Sequence, residues 1–385
     1  MTTDVDHSPE LHALIEISRK ICTEAQSDAL FQTILENAVR LGDAEGGTIY
    51  FYDEPSESLI FKFVISADPE VAKRLTGMHL KKGAGIVGKV AETLKTELVA
   101  DTRGDPRFAK DFDRKTGFET RSILTVPLQF YDIETQSQTL VGVLQLVNKK
   151  VGSFGETDAQ ELEAFGGFAA SLLTRAKLFE RLRRQYLGTI ASLAEAVDAK
   201  DPHTHRHSAR VSAYSLLLAR SIGFTPAQDF DLRISSLLHD IGKIGIPDAI
   251  LQKRGALNDE EFGRIKTHPA EGARILRPVH LSTEIYEGIL YHHEKWAGTG
   301  YPEKRKGTQI PLFARIIAFA DAFDAITSAR PYKAAHDFHD ARQRVLGDVG
   351  THFDPELAIV FCGLPLEEVP IEDQKRVDLQ QAPET

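Results

Sequence analysis

The chain has little cysteine and no long apolar run. Only Cys22 and Cys362 occur among its 385 residues, so the sequence predicts neither a disulfide framework nor a zinc site built on thiolates. No run of about 18 apolar residues is present. The N-terminus, MTTDVDHSPE, is acidic and polar, whereas a secretory signal is basic and then apolar. We therefore expect a cytoplasmic protein without a membrane partner.

An excess of positive charge is also missing. The formal net charge is −10 at pH 7, and no cluster of Lys and Arg suited to a phosphate backbone is visible, so nucleic acid is not an expected partner. A small anionic substrate remains compatible with this charge, because a local metal site outweighs it. The length exceeds one typical core and predicts two domains.

Histidine is scarce in the first half and abundant in the second, where 11 of the 14 histidines follow residue 200. Residues 235–248 read SSLLHDIGKIGIPD, which places the pair His239-Asp240 at the end of an apolar helix. A carboxylate at a buried helix end needs a partner, and a cation is one. His203 and His207 lie four residues apart, a spacing that puts both on one helical face.

Further ligand candidates fall where predicted helices end: His268 before a proline, and His292-His293 after IYEGILY. Asp321 lies in the apolar run AFADAFDAI, where an unpaired carboxylate would be costly to bury. Imidazole and carboxylate donors without thiolate suit iron, manganese or zinc. About eight candidate ligands exceed what one ion uses, which predicts at least two ions.

The pattern of apolar residues predicts different folds for the two halves. Residues 11–41 have helical periodicity and are followed by alternating segments such as GGTIYFYD and SLIFKFVIS, which predicts an α+β domain with an antiparallel sheet flanked by helices. Residues 157–200 read as one long helix with a near-heptad apolar stripe. This helix either mediates a homodimer or lies on its own domain. Beyond residue 201 the pattern is all-α.

The first half resembles a GAF domain over residues 10–175. The resemblance rests on FYDEPSESLIFKFVIS, KKGAGIVGKV, RSILTVPL and VLQLVNKKVGSFGETDAQEL. The last segment partly matches the NKFDE pattern of cyclic-nucleotide-binding GAF domains, with Asn148, Lys149, Phe154 and Asp158, but Ala159 replaces the final glutamate. We expect Lys149 and Asp158 to pair and to fix the last strand to the following helix. The ligand of this sensor domain is not predicted.

The second half resembles the HD-GYP family of cyclic di-GMP phosphodiesterases. The motifs are DPHTHRHSARV, HDIGKIGIPD, THPAEGARIL, HHEKWAGTGYP, ARIIAFADAFDAITSARPYK and GTHFDPEL, and six motifs in order are more specific than any one of them. The resemblance implies an HD-GYP domain at 201–365, which follows the long connecting helix predicted at 157–200. The polar, acidic tail at 366–385 is expected to be loosely ordered. The resemblance also implies a set of metal ligands, namely His207, His239, Asp240, His268, His292, His293 and Asp321.

By the same resemblance Lys243 contacts a phosphate or the nucleophile, and Asp240 shares in catalysis. The loop Gly300-Tyr301-Pro302 lies beside the substrate, and Arg330 and Lys333 contact substrate phosphate.

Two positions depart from the family pattern. Ala297 stands where an aspartate is usual in the HHE loop, which puts loop order or substrate fit in question. His203 stands four residues before His207, where some members carry a glutamate ligand, which gives the hypothesis of a third metal ion.

The resulting expectation is a cyclic di-GMP phosphodiesterase with two or three divalent ions, most often Fe or Mn in such a donor set, controlled by the GAF domain. One alternative is a receptor or scaffold without turnover, favoured by Ala297. Another is a hydrolase of a different cyclic dinucleotide such as cyclic GMP-AMP.

Overall fold

The computed structural model describes residues 27–66, 68–108, 113, 118–132, 136–201, 206–253, 255–328 and 337–369. It divides into two compact units, with the boundary between Leu182 and Arg183. We call them the N-terminal unit and the C-terminal unit and describe each by itself.

The N-terminal unit is built on a six-stranded antiparallel sheet with the order β3-β2-β1-β6-β5-β4. Its central strand β6 pairs with β1 and β5, so that Leu144 lies opposite both Ile49 and Val126. All three side chains are buried, as expected for the alternating apolar segments of the sequence. The elements are α1 (Ser27–Leu41), β1 (Ala44–Asp53), β2 (Ser58–Ile65), α2 (Pro69–Leu75), β3 (His79–Lys81), α3 (Gly85–Thr93), β4 (Glu97–Val99), β5 (Ile123–Asp132) and β6 (Ser137–Lys149).

One side of this sheet is covered by α1 and by the first half of the long helix α4 (Glu156–Lys200). Leu162, Phe165 and Ala169 of α4 are buried in this core together with Ile34 and Leu35 of α1. The predicted α+β fold and the predicted long helix are confirmed. The part of the first predicted helix before residue 27 lies outside the described residues.

The predicted pair between Lys149 and Asp158 is confirmed. The Lys149 ammonium lies 2.6 and 2.7 Å from the two carboxylate oxygens of Asp158. Asp158 also accepts a hydrogen bond from the backbone N–H of Gly155 at 2.8 Å. The pair therefore joins the end of β6 to the first turn of α4.

The C-terminal unit is helical, as predicted. Besides residues 183–200 of α4 it contains α5 (His207–Ser221), α6 (Pro226–Leu237), α7 (Asp248–Leu251), α8 (Asp259–Ile265), α9 (His268–Leu276), α10 (Thr283–Tyr291), α11 (Leu312–Thr327), α12 (Phe338–Gly347) and α13 (Pro355–Cys362), with short 3-10 helices between them. Asn258 and Glu261 form a capping box at the start of α8.

Two apolar cores hold this unit together. The larger one gathers α5, α11, α12 and α13 around buried rings such as Phe319, Phe323 and Phe361. Leu366, the first residue of the tail at 366–385, is fully buried in it. The rest of that tail, 370–385, lies outside the described residues. The smaller core packs Ile190, Ala194 and Val197 of α4 against α6 and α10.

Among the helices that the structure describes, none combines the length and the apolar character that crossing a bilayer requires.

Candidate metal centre

The predicted ligands come from five places in the C-terminal unit. His207 is the first residue of α5, His239 and Asp240 follow α6, and His268 is the first residue of α9. His292 and His293 follow α10, and Asp321 lies within α11. Helix ends bring these side chains together in two groups whose ligand atoms lie within 4.8 Å of one another.

The first cluster consists of Asp240, His268, His292 and His293. One carboxylate oxygen of Asp240 lies 3.1 Å from Nε2 of His268. The rings of His292 and His293 have centroids 4.1 Å apart, and the His268 ring lies 5.0 Å from that of His293. Three of the four residues are buried, so the cluster is largely shielded from water.

The second cluster consists of His207, His239 and Asp321. Nε2 of His207 lies 3.4 Å from an Asp321 oxygen. The other oxygen of Asp240 lies 3.5 Å from Nε2 of His239 and 3.7 Å from Nε2 of His207. Asp240 therefore faces both clusters, one oxygen to each.

The imidazoles are oriented through their Nδ1 atoms. His239, His268 and His292 each have Nδ1 within 2.7–2.8 Å of the backbone carbonyl three residues earlier. A carbonyl accepts only, so each Nδ1 carries a proton, and in the neutral imidazole this leaves a lone pair on Nε2. Nδ1 of His207 lies 2.7 Å from the carboxylate of Asp324, which also pairs with Arg210. Such outer partners orient histidines that bind metals.

The surroundings of the Nε2 atoms, among the residues that the structure describes, test whether a cation fits. Nε2 of His239 is buried without a hydrogen-bond partner in the described part of the chain. Nε2 of His268 and Nε2 of His292 face each other at 3.3 Å, although both rings already carry their proton on Nδ1. Two opposed lone pairs repel unless a cation lies between them. The donor set therefore fits a divalent ion.

The histidines of the two clusters differ in pKa. Burial is the main cause that lowers the pKa of His293 to about 3, and burial with the neighbouring imidazoles lowers the pKa of His292 well below its ordinary value. Both rings are thus neutral, as metal ligation requires. Burial alone would lower the pKa of His207, but Asp321 and Asp324 outweigh it and raise it to about 10.

The Asp240 carboxylate is ionised, and the Lys243 ammonium is the positive charge that pairs with it. Burial alone would raise the pKa of Asp240, but Lys243 and His239 outweigh it and hold that pKa well below its ordinary value. The Lys243 ammonium lies 2.7 Å from Asp240 and 3.3 Å from Asp201. Burial would lower the pKa of Lys243, yet these two carboxylates raise it, so the ammonium stays charged.

Close backbone packing fixes the position of the loop that follows Asp240. A Cβ at Gly242 would lie 1.9 Å from the carbonyl oxygen of His268 and 2.5 Å from the backbone nitrogen of Gly272. Only glycine allows this approach, which brings Asp240 to His268.

The Gly300-Tyr301-Pro302 loop packs on the turn that carries His293. The backbone N–H of Tyr301 donates to the carbonyl of His293 at 3.2 Å, and the two rings have centroids 4.9 Å apart. A Cβ at Gly300 would lie 2.4 Å from Cα of Glu294. The loop is thus held against the first cluster, with Pro302 at its end.

Three predicted site residues, His203, Arg330 and Lys333, lie outside the described residues. Sequence reasoning missed Asp201 and Lys200, which contact Lys243 or its loop. It also missed Glu294, which is buried and accepts the backbone N–H of Glu303 at 2.7 Å. The only signal for Glu294 was its place in the HHE motif, and for Lys200 and Asp201 their place where the long helix ends.

Comparison with known families accounts for both units. Residues 24–174 match the family described as GAF domain, and residues 191–357 match the family described as HD domain. An HD domain implies a divalent metal, and the two clusters are where the described residues could hold it.

Relatives with curated names match the C-terminal half. A "Cyclic di-GMP phosphodiesterase" of Vibrio cholerae is 41% identical over 194 residues, which cover 46% of this chain and 39% of the relative. A "3'3'-cGAMP-specific phosphodiesterase 3" of the same organism is 40% identical over 167 residues, covering 43% and 36%. A "Cyclic di-GMP phosphodiesterase" of Thermotoga maritima is 40% identical over 173 residues, covering 44% and 46%.

The matched part is thus less than half the length of each of these relatives. Along the chain, a region that matches the GAF domain family, residues 24–174, is followed by a region that matches the HD domain family, residues 191–357.

Proposed function

We propose that this chain hydrolyses the phosphodiester bonds of cyclic di-GMP at a centre of two or three divalent ions, under the control of its GAF domain. The observation that carries the proposal is the position of Asp240, whose two oxygens face different clusters. A carboxylate shared by two adjacent cation sites suits a phosphoesterase with two metal ions.

The proposed ligands are His207, His239, Asp240, His268, His292, His293 and Asp321, with His203 for a third ion. Their nitrogen and oxygen donors, without a thiolate, support Fe or Mn as the metal. Two such ions would, when bound, lower the pKa of a coordinated water molecule and offset the negative charge that develops on the phosphoryl oxygens.

We propose that the Lys243 ammonium donates a hydrogen bond to a phosphate oxygen of the substrate. Two of the three N–H groups of its ammonium have carboxylate partners, Asp240 and Asp201. The third N–H is then available to a phosphate oxygen. A fixed donor of this kind stabilises charge that develops in the transition state.

The Gly300-Tyr301-Pro302 loop is proposed to contact the substrate. Burial, followed by Asp240 and Asp321, raises the pKa of Tyr301, so its phenol stays protonated and can donate a hydrogen bond. Its ring also offers a face against which a base stacks. Arg330 and Lys333 are proposed to hold the second phosphate of the dinucleotide.

The choice of cyclic di-GMP is supported by the names of two of the relatives, and a second candidate, cyclic GMP-AMP, by the name of the third. Both substrates are cyclic dinucleotides with two phosphodiester bonds, so the same ion centre would serve either. Turnover of the two substrates under identical conditions separates the candidates.

The alternative of a receptor without turnover rested on Ala297. The side chain of Ala297 is exposed, and the backbone holds its loop: Ala297 N–H donates to the carbonyl of Thr351 at 2.9 Å and Trp296 N–H to that of His352 at 3.0 Å. These bonds do not need an aspartate side chain, which favours the enzyme over the receptor.

Further proposals concern the whole chain. We propose a GAF sensor at 10–175, the connecting helix at 157–200 and the HD-GYP domain at 201–365, in a cytoplasmic homodimer that binds neither nucleic acid nor membrane. What the GAF domain senses is a separate question, which ligand screening against the full chain addresses.

The direct test is turnover by protein purified without oxygen and loaded with Fe²⁺ or Mn²⁺. We expect linear dinucleotide or GMP from cyclic di-GMP, separated by chromatography, with elemental analysis of the same sample. Loaded protein with a full complement of metal and no product from either cyclic dinucleotide would contradict the proposal.

Replacing the shared carboxylate tests its role. Asp240→Asn should lower turnover by more than about 100-fold, because changes at partners of metal ligands alone cost about 10- to 100-fold. The bound metal should fall by at least one ion per chain. Asp259→Asn, at an exposed carboxylate in the first turn of α8, is the control and should retain turnover. A folded Asp240→Asn variant with normal turnover would refute the assignment.

A further inference from the structure

We propose that Lys200, the last residue of α4, is a positioning residue for the loop that carries Lys243. The proposal rests on the proposed function only for the chemical role of Lys243. It gives the end of the long helix a contact with the loop beside the metal centre.

The Lys200 ammonium reaches across to the backbone of this loop. It lies 3.3 Å from the carbonyl oxygen of Lys243, 2.9 Å from that of Ile244 and 2.7 Å from that of Ile246. Three N–H groups of one ammonium thus face three carbonyls of one short segment. The backbone carbonyl of Lys200 also accepts a hydrogen bond from Gln252 at 3.2 Å.

Besides Lys200, Arg264 contacts this loop in the described structure, with its guanidinium 3.4 Å from the carbonyl oxygen of Gly245. Residues Ile241–Gly245 form a 3-10 helix, a structure with poorer hydrogen-bond geometry than an α-helix, and its terminal carbonyls need partners from outside. Ile241 and Ile246 are buried, but Ile244 is exposed and Gly245 has no side chain. A cation at the carbonyl end supplies the missing partners.

Two carboxylates beside Lys200 reach the same centre. Asp201 lies 3.3 Å from the Lys243 ammonium. Asp198 accepts hydrogen bonds from the backbone N–H and the hydroxyl of Ser208, at 3.0 and 2.8 Å, directly after His207. The end of α4 therefore contacts the segments that carry a ligand of the second cluster and the proposed phosphate donor.

These contacts give Lys200 a role in positioning the Lys243 loop. Lys200 contacts backbone and Asp248 in the described structure, and it contacts no proposed ligand. Loss of its ammonium would let the Lys243 loop shift while the imidazoles keep their own carbonyl partners. A displacement of about 1 Å in a positioned group lowers catalysis by about 100-fold.

The experiment compares Lys200→Met with Lys253→Met in the full chain. Lys253 is a lysine of the same unit whose ammonium pairs with Glu261 and does not contact the loop in the described structure. Hydrogen–deuterium exchange of peptides covering residues 241–251 is measured first, because it needs neither metal nor substrate. Metal content, kcat and KM for cyclic di-GMP follow on the same samples.

We expect faster exchange in residues 241–251 of Lys200→Met alone, with metal content unchanged and kcat lower by about 10- to 100-fold at a similar KM. Lys200→Arg, which keeps a charge and N–H donors, should restore most of the protection and the turnover; it also serves if Lys200→Met does not fold.

Unchanged exchange and unchanged kcat in Lys200→Met would overturn the proposal. Faster exchange with normal kcat would also overturn it, since the contact would then serve stability alone. Faster exchange in protein whose wild type shows no turnover would refute the proposed function while leaving the placement of the loop by Lys200 supported.

Discussion

At the scale of single residues, the centre depends on which ring nitrogen each histidine uses. Three imidazoles donate from Nδ1 to the carbonyl three residues earlier. That carbonyl lies near the C-terminal end of a helix, where the last carbonyls have no partner within the helix. A histidine placed just after such an end both caps the helix and directs Nε2 into the cavity. His239 and His292 follow α6 and α10 in this way.

Substitution of His203 tests how many metal ions each chain binds. If His203 holds a third ion, fully loaded wild-type protein should contain three ions per chain and His203→Ala two, because the substitution removes an imidazole ligand of that ion. Plasma mass spectrometry on loaded, desalted protein measures this. His339→Ala, at an exposed histidine of α12, should keep the wild-type content. Two ions per chain in wild type and variant alike would argue against a third site.

At the scale of elements, the junction of β6 with α4 is held by the pair of Lys149 and Asp158. The side chains are 24% and 16% exposed, so the pair is only partly screened by water, and Asp158 also caps Gly155. The neighbouring pair of Lys150 and Asp43 is 3.5 Å long and more than half exposed. The two pairs therefore allow a partly buried ion pair to be compared with an exposed one.

Asp158→Ala should lower the free energy of unfolding of the N-terminal unit by about 1 to 2 kcal/mol, because hydrogen bonds to charged groups contribute about 1.5 to 3 kcal/mol before allowance for partial exposure. Lys150→Met should change it by less than about 0.5 kcal/mol, as exposed pairs do. Urea unfolding followed by circular dichroism measures both. Equal effects of the two substitutions would show that the Lys149 pair does not stabilise the junction.

At the scale of the whole molecule, the apolar stripe of α4 does not form one continuous surface. Leu162, Phe165 and Ala169 are buried in the N-terminal unit, and Ile190 and Val197 in the C-terminal unit. Between them Phe179 and Leu182 are each 63% exposed. The ends of the stripe thus lie on their own units, and its exposed middle is the part of α4 at which the proposed homodimer would form.

If the exposed middle of the stripe joins two copies, Leu182→Asp should shift the protein from dimer to monomer, because a buried charge without a partner opposes association. Light scattering after size exclusion measures the mass. Arg184→Asp lies about 200° further around the helix and should leave the mass unchanged. A monomeric wild type, or a dimer that survives Leu182→Asp, would contradict this interface.

Much of the candidate site could be predicted from the sequence, because its ligands are polar side chains within or beside apolar segments, where packing alone does not require them. His239-Asp240 after an apolar helix and Asp321 within one were recognisable, since each polar group had to find a partner. Lys149 and Asp158 were also recognisable from a local motif, because they are nine residues apart on consecutive elements. Asp201 and Lys200 were not, because a charged residue at the end of a helix is ordinarily a solvated cap.

The amino-acid sequence by itself determined the two fold classes, the long helix and the set of metal-ligand candidates, because apolar periodicity and residue chemistry are local properties. Only the tertiary structure decided that Asp240 faces both clusters, that Lys200 contacts the Lys243 loop 43 to 46 residues away, and which part of the α4 stripe is covered. A periodic pattern shows which face of a helix is apolar, whereas the packing of distant segments determines what lies against that face.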